Sequence, residues 1–215
     1  MKTLRLFATM LGLFTGLLSK AAPDHTNAFI TVWDTDKMDA GISLTIPTSP
    51  GTSYQYYWEK VGDEGNANSG SYQPASGILF ITAITAKSGI YKVYIKGNFT
   101  GIFMSSDPNS AKALTEVESW GNMKWTTMKG SFQGCANLTK LPTSAPDLSL
   151  VTDMSNMFRQ ATSFNHNIGN WNVSNVTNMS TMFFNAANFN QDISGWNVSN
   201  VTNMTWMFAS ALKFN

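Results

Sequence analysis

The chain is short of the residues from which most chemistry is built. Cys135 is the single cysteine in 215 residues, so no disulfide can form within the chain. There are two histidines, His25 and His166, and neither belongs to a set with metal-ligand spacing. Charged residues make up 13%, about half the usual share, and the net charge is +1. That balance leaves no basic stripe to displace counterions from nucleic acid, no polybasic membrane patch and no acidic tail. A glycine-rich phosphate loop and a nucleophile elbow are missing as well. Together these absences exclude the familiar enzyme signatures and imply no cofactor.

What the chain does have is a phrase repeated at a fixed interval. Met154-Ser155-Asn156-Met157-Phe158 returns as Met179-Ser180-Thr181-Met182-Phe183 and as Met204-Thr205-Trp206-Met207-Phe208, with a step of 25 residues. Between these, Ile168, Trp171, Val173, Val176 and Met179 return as Ile193, Trp196, Val198, Val201 and Met204. A period of this size is the signature of a solenoid, in which each unit leans on its neighbours. Alternation at Trp171 and Val173 predicts a short strand with Asn172 and Ser174 outward. Met179, Met182, Phe183 and Ala186 fall at i, i+3, i+4 and i+7, which predicts a helical turn capped by Asn178. Phe189 then leads to the next strand at Ile193. One such unit buries too little to fold alone.

These residues resemble the BspA-type leucine-rich-repeat surface proteins of bacteria. Ile168, Trp171, Val173, Val176, Met179, Met182, Phe183, Ala186 and Phe189 occupy the family's apolar places in order. The earlier stretch Ser131-Phe132-Gln133-Gly134-Cys135, followed by Leu138 and Leu141, is similar to the family's usual ending. The resemblance covers the chain from about Leu114 onward and implies a role in adhesion or recognition at a cell surface. Leu114, Val117, Trp120 and Trp125 read as a degenerate first coil.

Residues 1–21 read as a secretory signal, with Lys2 and Arg5 before an apolar run and Ser19-Lys20-Ala21 as the cleavage site. No cysteine follows that run, which argues against lipid anchoring, and it is too short to span a membrane. Residues 22–108 then show short alternating runs between turn residues. Strands are predicted at 28–33, 42–46, 54–58, 78–82, 90–95 and 101–104, a spacing that suits an antiparallel β-sandwich. Trp33, Trp58 and Tyr91 are the expected large core residues. Phe29-Ile30-Thr31-Val32-Trp33 and Gly89-Ile90-Tyr91-Lys92-Val93 resemble a PKD-like, immunoglobulin-type domain, although Gly62-Asp63-Glu64-Gly65 replaces that family's usual acidic turn. Residues 109–215 form the repeat region, joined through a turn at Asp107-Pro108-Asn109-Ser110 by a stiff junction. The expected architecture is therefore mainly β, an immunoglobulin-like sandwich followed by a solenoid of about 25-residue coils. The sequence halts mid-unit at Phe214-Asn215, and the expectation is that the natural protein continues.

Each candidate for chemistry has a plainer reading. Asp34, Asp36 and Asp39 are close enough to suggest calcium, but they lack any known loop spacing and read as a polar loop. No metal site is predicted. Glu116 and Glu118 alternate as a solvated strand face rather than an acid–base pair. The recurrence of Met154, Phe158, Met179, Met182, Phe183, Trp196, Met204 and Phe208 identifies core rather than a ligand box. Asn172, Asn175, Asn178, Asn197, Asn200 and Asn203 sit in glycosylation sequons, which matter only in a eukaryotic host. What remains is surface. Asp147, Ser149, Asn172, Ser174, Asn197 and Ser199 flank inward positions and should line the concave face as a nearly uncharged ladder. The reading is a secreted, extracellular, non-enzymatic protein that binds a protein or glycan partner on another cell or host surface. The rivals are a carbohydrate-binding accessory module and a passive spacer.

Overall fold

The structure, a computed structural model, describes residues 23–39, 43–49, 51–67, 72–85 and 89–215. The proposed signal at 1–21 lies outside the described residues. The fold is mainly β, with antiparallel pairing between its strands and little helix. Its strands are β1 (Phe29–Asp34), β2 (Ser43–Ile46), β3 (Ser53–Lys60), β4 (Asp63–Ala67), β5 (Gln73–Ser76), β6 (Leu79–Thr85), β7 (Ile90–Asn98) and β8 (Leu114–Trp120). The main sheet runs β4-β3-β7-β1-β8, with β5 also on β3, while β2 and β6 pair separately. The one α-helix among the described residues, α1 (Pro108–Ala113), stands immediately before β8.

Alternation fixes which face of the sheet is core. Phe29, Thr31 and Trp33 on β1 and Tyr91, Val93 and Ile95 on β7 are buried together with Leu44, Ile46, Leu79 and Ile81 of the two-stranded pair. The polar atoms carried inward are satisfied: the Trp33 indole N–H donates to Thr31 Oγ1 at 2.8 Å, and that hydroxyl donates to the Val93 carbonyl at 3.3 Å. Trp58 and Tyr91 are buried core residues, as expected.

Three local expectations are corrected. Residues 101–104 form no strand; Ile102 makes a single bridge to Thr48, and Met104–Ser106 turn into a short 3-10 segment. The turn expected at Asp107-Pro108 is the start of α1, because the Asp107 carboxylate accepts from the amides of Asn109 and Ser110, both at 3.1 Å, with Pro108 pre-set in the first turn. Leu114, Val117 and Trp120, read as a first coil, belong to β8 and pair antiparallel with β1.

β8 also faces the repeats. Glu116 bridges Lys140 in parallel, Val117 N–H donates to the Lys140 carbonyl, and Thr139 N–H donates to that of Thr115, each at 3.0 Å. Trp120 fastens the same edge: its indole N–H donates to the Ser144 carbonyl at 2.9 Å, and its ring meets Phe29, Trp125, Phe132 and Trp171. The apolar interior consequently runs without a break from Phe29 to Met207.

Past Trp120 the chain is built from turns rather than strands. The strand expected at Trp171 and Val173 is absent; the regular contact falls at Asn178, which bridges Asp153 on one side and Asn203 on the other, both in parallel. The expected helical turn at 179–186 is instead a run of overlapping turns closed by Met182→Met179, Phe184→Thr181 and Ala186→Phe183 bonds. A helix cannot form there because Thr181 and Asn185 have φ of 54° and 57°. Their equivalents in the flanking copies, Asn156 and Gln160 and then Trp206 and Ser210, are left-handed as well. This backbone turns alternate amides toward the next copy. Met179, Thr181, Phe183 and Asn185 donate to the carbonyls of Asn203, Thr205, Met207 and Ala209 at 2.8–2.9 Å, and Met154, Asn156, Phe158 and Gln160 do the same one copy earlier. Successive copies are so close that a Cβ on Gly169 would lie 2.5 Å from the Asp192 carbonyl oxygen.

Candidate functional site

The ladder anticipated from the sequence consists of three equivalent turns. In each, a carboxylate or amide oxygen accepts the amide two residues on: Ser149 N–H to Asp147 at 3.1 Å, Ser174 N–H to Asn172 at 3.2 Å, and Ser199 N–H to Asn197 at 3.1 Å. Asp147, Ser149, Asn172, Asn197 and Ser199 are exposed and Ser174 is half-buried. The six residues thus lie on one surface, although on bends rather than on a concave sheet. The neighbouring asparagines tie the copies together. Asn175 donates to the Ser149 carbonyl at 2.8 Å and Asn200 to the Ser174 carbonyl at 2.7 Å. The sequon residues therefore divide by role: Asn175 and Asn200 bridge copies, while Asn172 and Asn197 keep their amide nitrogens at the surface.

Charge enters this surface at its first rung. Lys124 Nζ lies 3.2 Å from Asp147, whose carboxyl is held down at about 2 by the Ser149 side chain and amide and then by Lys124. Further rungs are uncharged, so the surface changes from a salt-bridged end to a field of amides and hydroxyls.

Behind the ladder lies the repeat core. Met154, Phe158, Ile168, Trp171, Val173, Val176, Met179, Met182, Phe183, Phe189 and Trp196 are buried. Ile193 and Phe208 are half-buried, whereas Val198 and Met204 are 40% and 42% exposed. The difference follows position. Val173 and Met179 have the next copy stacked on them, and Val198 and Met204 lie in the last described one. The Trp196 indole N–H donates to the Ile168 carbonyl at 3.0 Å, which indexes its copy against the one before.

The remaining candidates lie away from the ladder. Asp34 accepts the Asp36 amide at 3.1 Å, and Asp39 lies 3.5 Å from Lys112. Glu116 and Glu118 each meet a lysine, Lys140 at 3.4 Å and Lys92 at 2.7 Å. Burial pushes the Cys135 thiol well above its usual range. His166 sits in a shallow recess with Thr143, Asn167 and Asn170. Among the described residues no cluster of three metal-ligating side chains occurs, and no helix is long and apolar enough to cross a membrane. Sequence reasoning missed the environment of His25, which folds against three tyrosines on the outer face of the sheet. The alternation of Tyr57 with Trp58 and of Tyr94 with Val93 carried part of that signal, because it placed aromatic rings on both faces.

Residues 100–215, which begin ahead of α1 and take in every repeated copy, match the family described as Mycoplasma protein of unknown function, DUF285. The chain belongs to that family. No curated protein and no solved structure matches it. The DUF285 match starts before β8, so the strand that closes the main sheet lies within the family region together with the stacked copies.

Proposed function

We propose that this DUF285 protein is a secreted, non-enzymatic surface protein that recognises a protein or glycan partner through the repeat surface carrying Asp147, Ser149, Asn172, Ser174, Asn197 and Ser199. In this reading the copies are coils of a BspA-type leucine-rich-repeat solenoid, preceded by a PKD-like β-sandwich, and the signal at 1–21 directs export. The observation that carries it is the 25-residue register: the interior repeats as Phe158, Phe183 and Phe208 while the exposed turns repeat as Asn172 and Asn197. A stiff array of hydrogen-bonding groups on a continuous core needs little ordering when a partner arrives, which favours many weak polar contacts. The deep, convergent polar groups of an active site find no counterpart in such a surface.

The test is binding of the full chain to a glycan array and to immobilised cell-surface proteins, beside an Asn172→Arg/Asn197→Arg variant. The reading expects a ligand whose binding weakens at least about tenfold in the variant. A chain that binds nothing, or a variant that binds equally well, overturns it in favour of a passive spacer.

A further inference from the structure

The face of the main sheet turned away from the shared core carries a second, smaller aromatic cluster. Tyr57 on β3 and Tyr94 on β7 are direct partners in the antiparallel ladder, with rings 5.6 Å apart. Tyr72, just ahead of β5, lies 6.0 Å from Tyr57. Glu59 fixes two of the hydroxyls, accepting from Tyr94 at 2.5 Å and from Tyr57 at 3.4 Å. Tyrosines on an outer sheet face ordinarily meet water, yet Tyr57 and Tyr94 are only 4% and 6% exposed.

Part of their cover is the imidazole of His25. It stacks on Tyr94 at 3.8 Å and 18°, lies 5.1 Å from Tyr57, and meets the edge of Tyr72 at 5.9 Å. Its Nδ1 is 3.0 Å from the Tyr72 hydroxyl. The segment bearing it is tied at both ends: Lys96 Nζ contacts the Asp24 carbonyl and carboxylate, Ala28 N–H donates to the His25 carbonyl at 3.0 Å, and Asn122 N–H donates to the Asn27 carbonyl at 3.2 Å. Lys96 also sits 5.1 Å over the Tyr72 ring. Burial of the imidazole, opposed by Glu59 and Asp24 and reinforced by Lys96, lowers its pKa.

A flat floor, two side walls, one hydrogen-bonding hydroxyl at the ring edge and a carboxylate that ties the floor to one wall make a receptacle matched to one shape. We infer that Tyr57, Tyr72, Tyr94 and Glu59 form a binding site for a flat nitrogen heterocycle of imidazole's size, and that His25 is its tethered occupant. The site is independent of the repeat surface and of the function proposed for it. A histidine side chain or free heterocycle from another molecule enters only by displacing residues 24–27.

The test empties the site in the full chain with His25→Gly and titrates free imidazole, following tyrosine ring signals by NMR and thermal stability. The expected result is a saturable shift of the Tyr94 ring and a matching rise in Tm. Both are absent from the parent chain, whose site is filled, and from H25G/Y94A, whose floor is gone; H25G/Y72F binds more weakly. A folded H25G chain with no saturable response, or an equal response in H25G/Y94A, overturns the inference. The parent chain supplies a second readout that needs no variant. Stacking on Tyr94 moves the His25 ring protons upfield, and unshifted protons overturn the inference too.

Discussion

The rings of Phe158 and Phe183 lie 5.7 Å apart and 10° from parallel, although 25 residues of chain separate them. The relation extends in both directions, to Phe132 at 5.6 Å and to Phe208 at 5.4 Å. A second column, Phe164, Phe189 and Phe214, runs beside it at 5.9 and 5.7 Å. Within a copy the columns touch, as Phe183 and Phe189 do at 4.1 Å. Removing one ring therefore opens a void shared by three copies. Phe183→Ala is expected to cost about 3–5 kcal/mol, read as a lower urea midpoint. Phe184→Ala, which loses only the half-buried ring under Arg159, should cost roughly 1 kcal/mol or less.

Backbone conformation gives a prediction of opposite sign. The first copy has Gly134 at φ 75°, where the next has Gln160 at φ 61°. Gln160 is exposed, so its side chain contributes little to set against a left-handed backbone. Gln160→Gly should stabilise by about 0.5–1 kcal/mol, whereas Gly134→Ala should destabilise by roughly 1–2 kcal/mol. Chemical denaturation of the two variants checks both signs.

Much of this architecture was legible in the sequence, and the failures have physical causes. The strands led by Trp33, Leu44, Trp58, Leu79 and Tyr91 announced themselves through alternation of large buried residues with polar ones. β4 and β5 did not, because Asp63-Glu64-Gly65-Asn66 and Gln73-Pro74-Ala75-Ser76 are turn-type residues that extend only by pairing with β3. The spacing of Met179, Met182, Phe183 and Ala186 marked the buried positions correctly but suggested a helix. Left-handed Thr181 and Asn185, which periodicity does not report, convert the segment into stacked turns. The surface ladder was readable as a set of equivalent positions. Its bent shape was not, since it depends on Asp147, Asn172 and Asn197 each capturing the amide two residues on. The His25 receptacle was hidden because it joins residues from four separate segments.

Cys135 should behave as an inert buried group. Its thiol is fully enclosed and its pKa is pushed up by burial, so almost no thiolate forms near pH 8. A thiol-reactive dye is expected to label the native chain only at the rate of unfolding and the urea-unfolded chain at once. Rapid labelling of the native protein would place Cys135 at the surface.

Stability should depend on pH in three windows. His25 has a pKa below 6.5 when folded, so the unfolded chain binds more protons there, and stability falls as pH drops below about 6.5. Asp24, held by Thr26, and Asp147, held by Ser149, are lowered from 3.8 to about 2, so their contribution is present above 3.8 and lost as pH falls toward 2. Tyr72 is raised to about 12 by burial, and burial with Glu59 raises Tyr94 further, so stability also declines above pH 10. His25→Gln should remove the first window, and urea midpoints measured between pH 5 and 8 will reveal its loss.

The stacking of successive copies is tested most directly by aromatic NOEs in a phenylalanine-labelled sample. The structure requires cross-peaks linking the rings of Phe132, Phe158, Phe183 and Phe208 in series, with Phe164, Phe189 and Phe214 joined alongside. A sample in which Phe158 and Phe183 show contacts within their own segments but none to each other would contradict it.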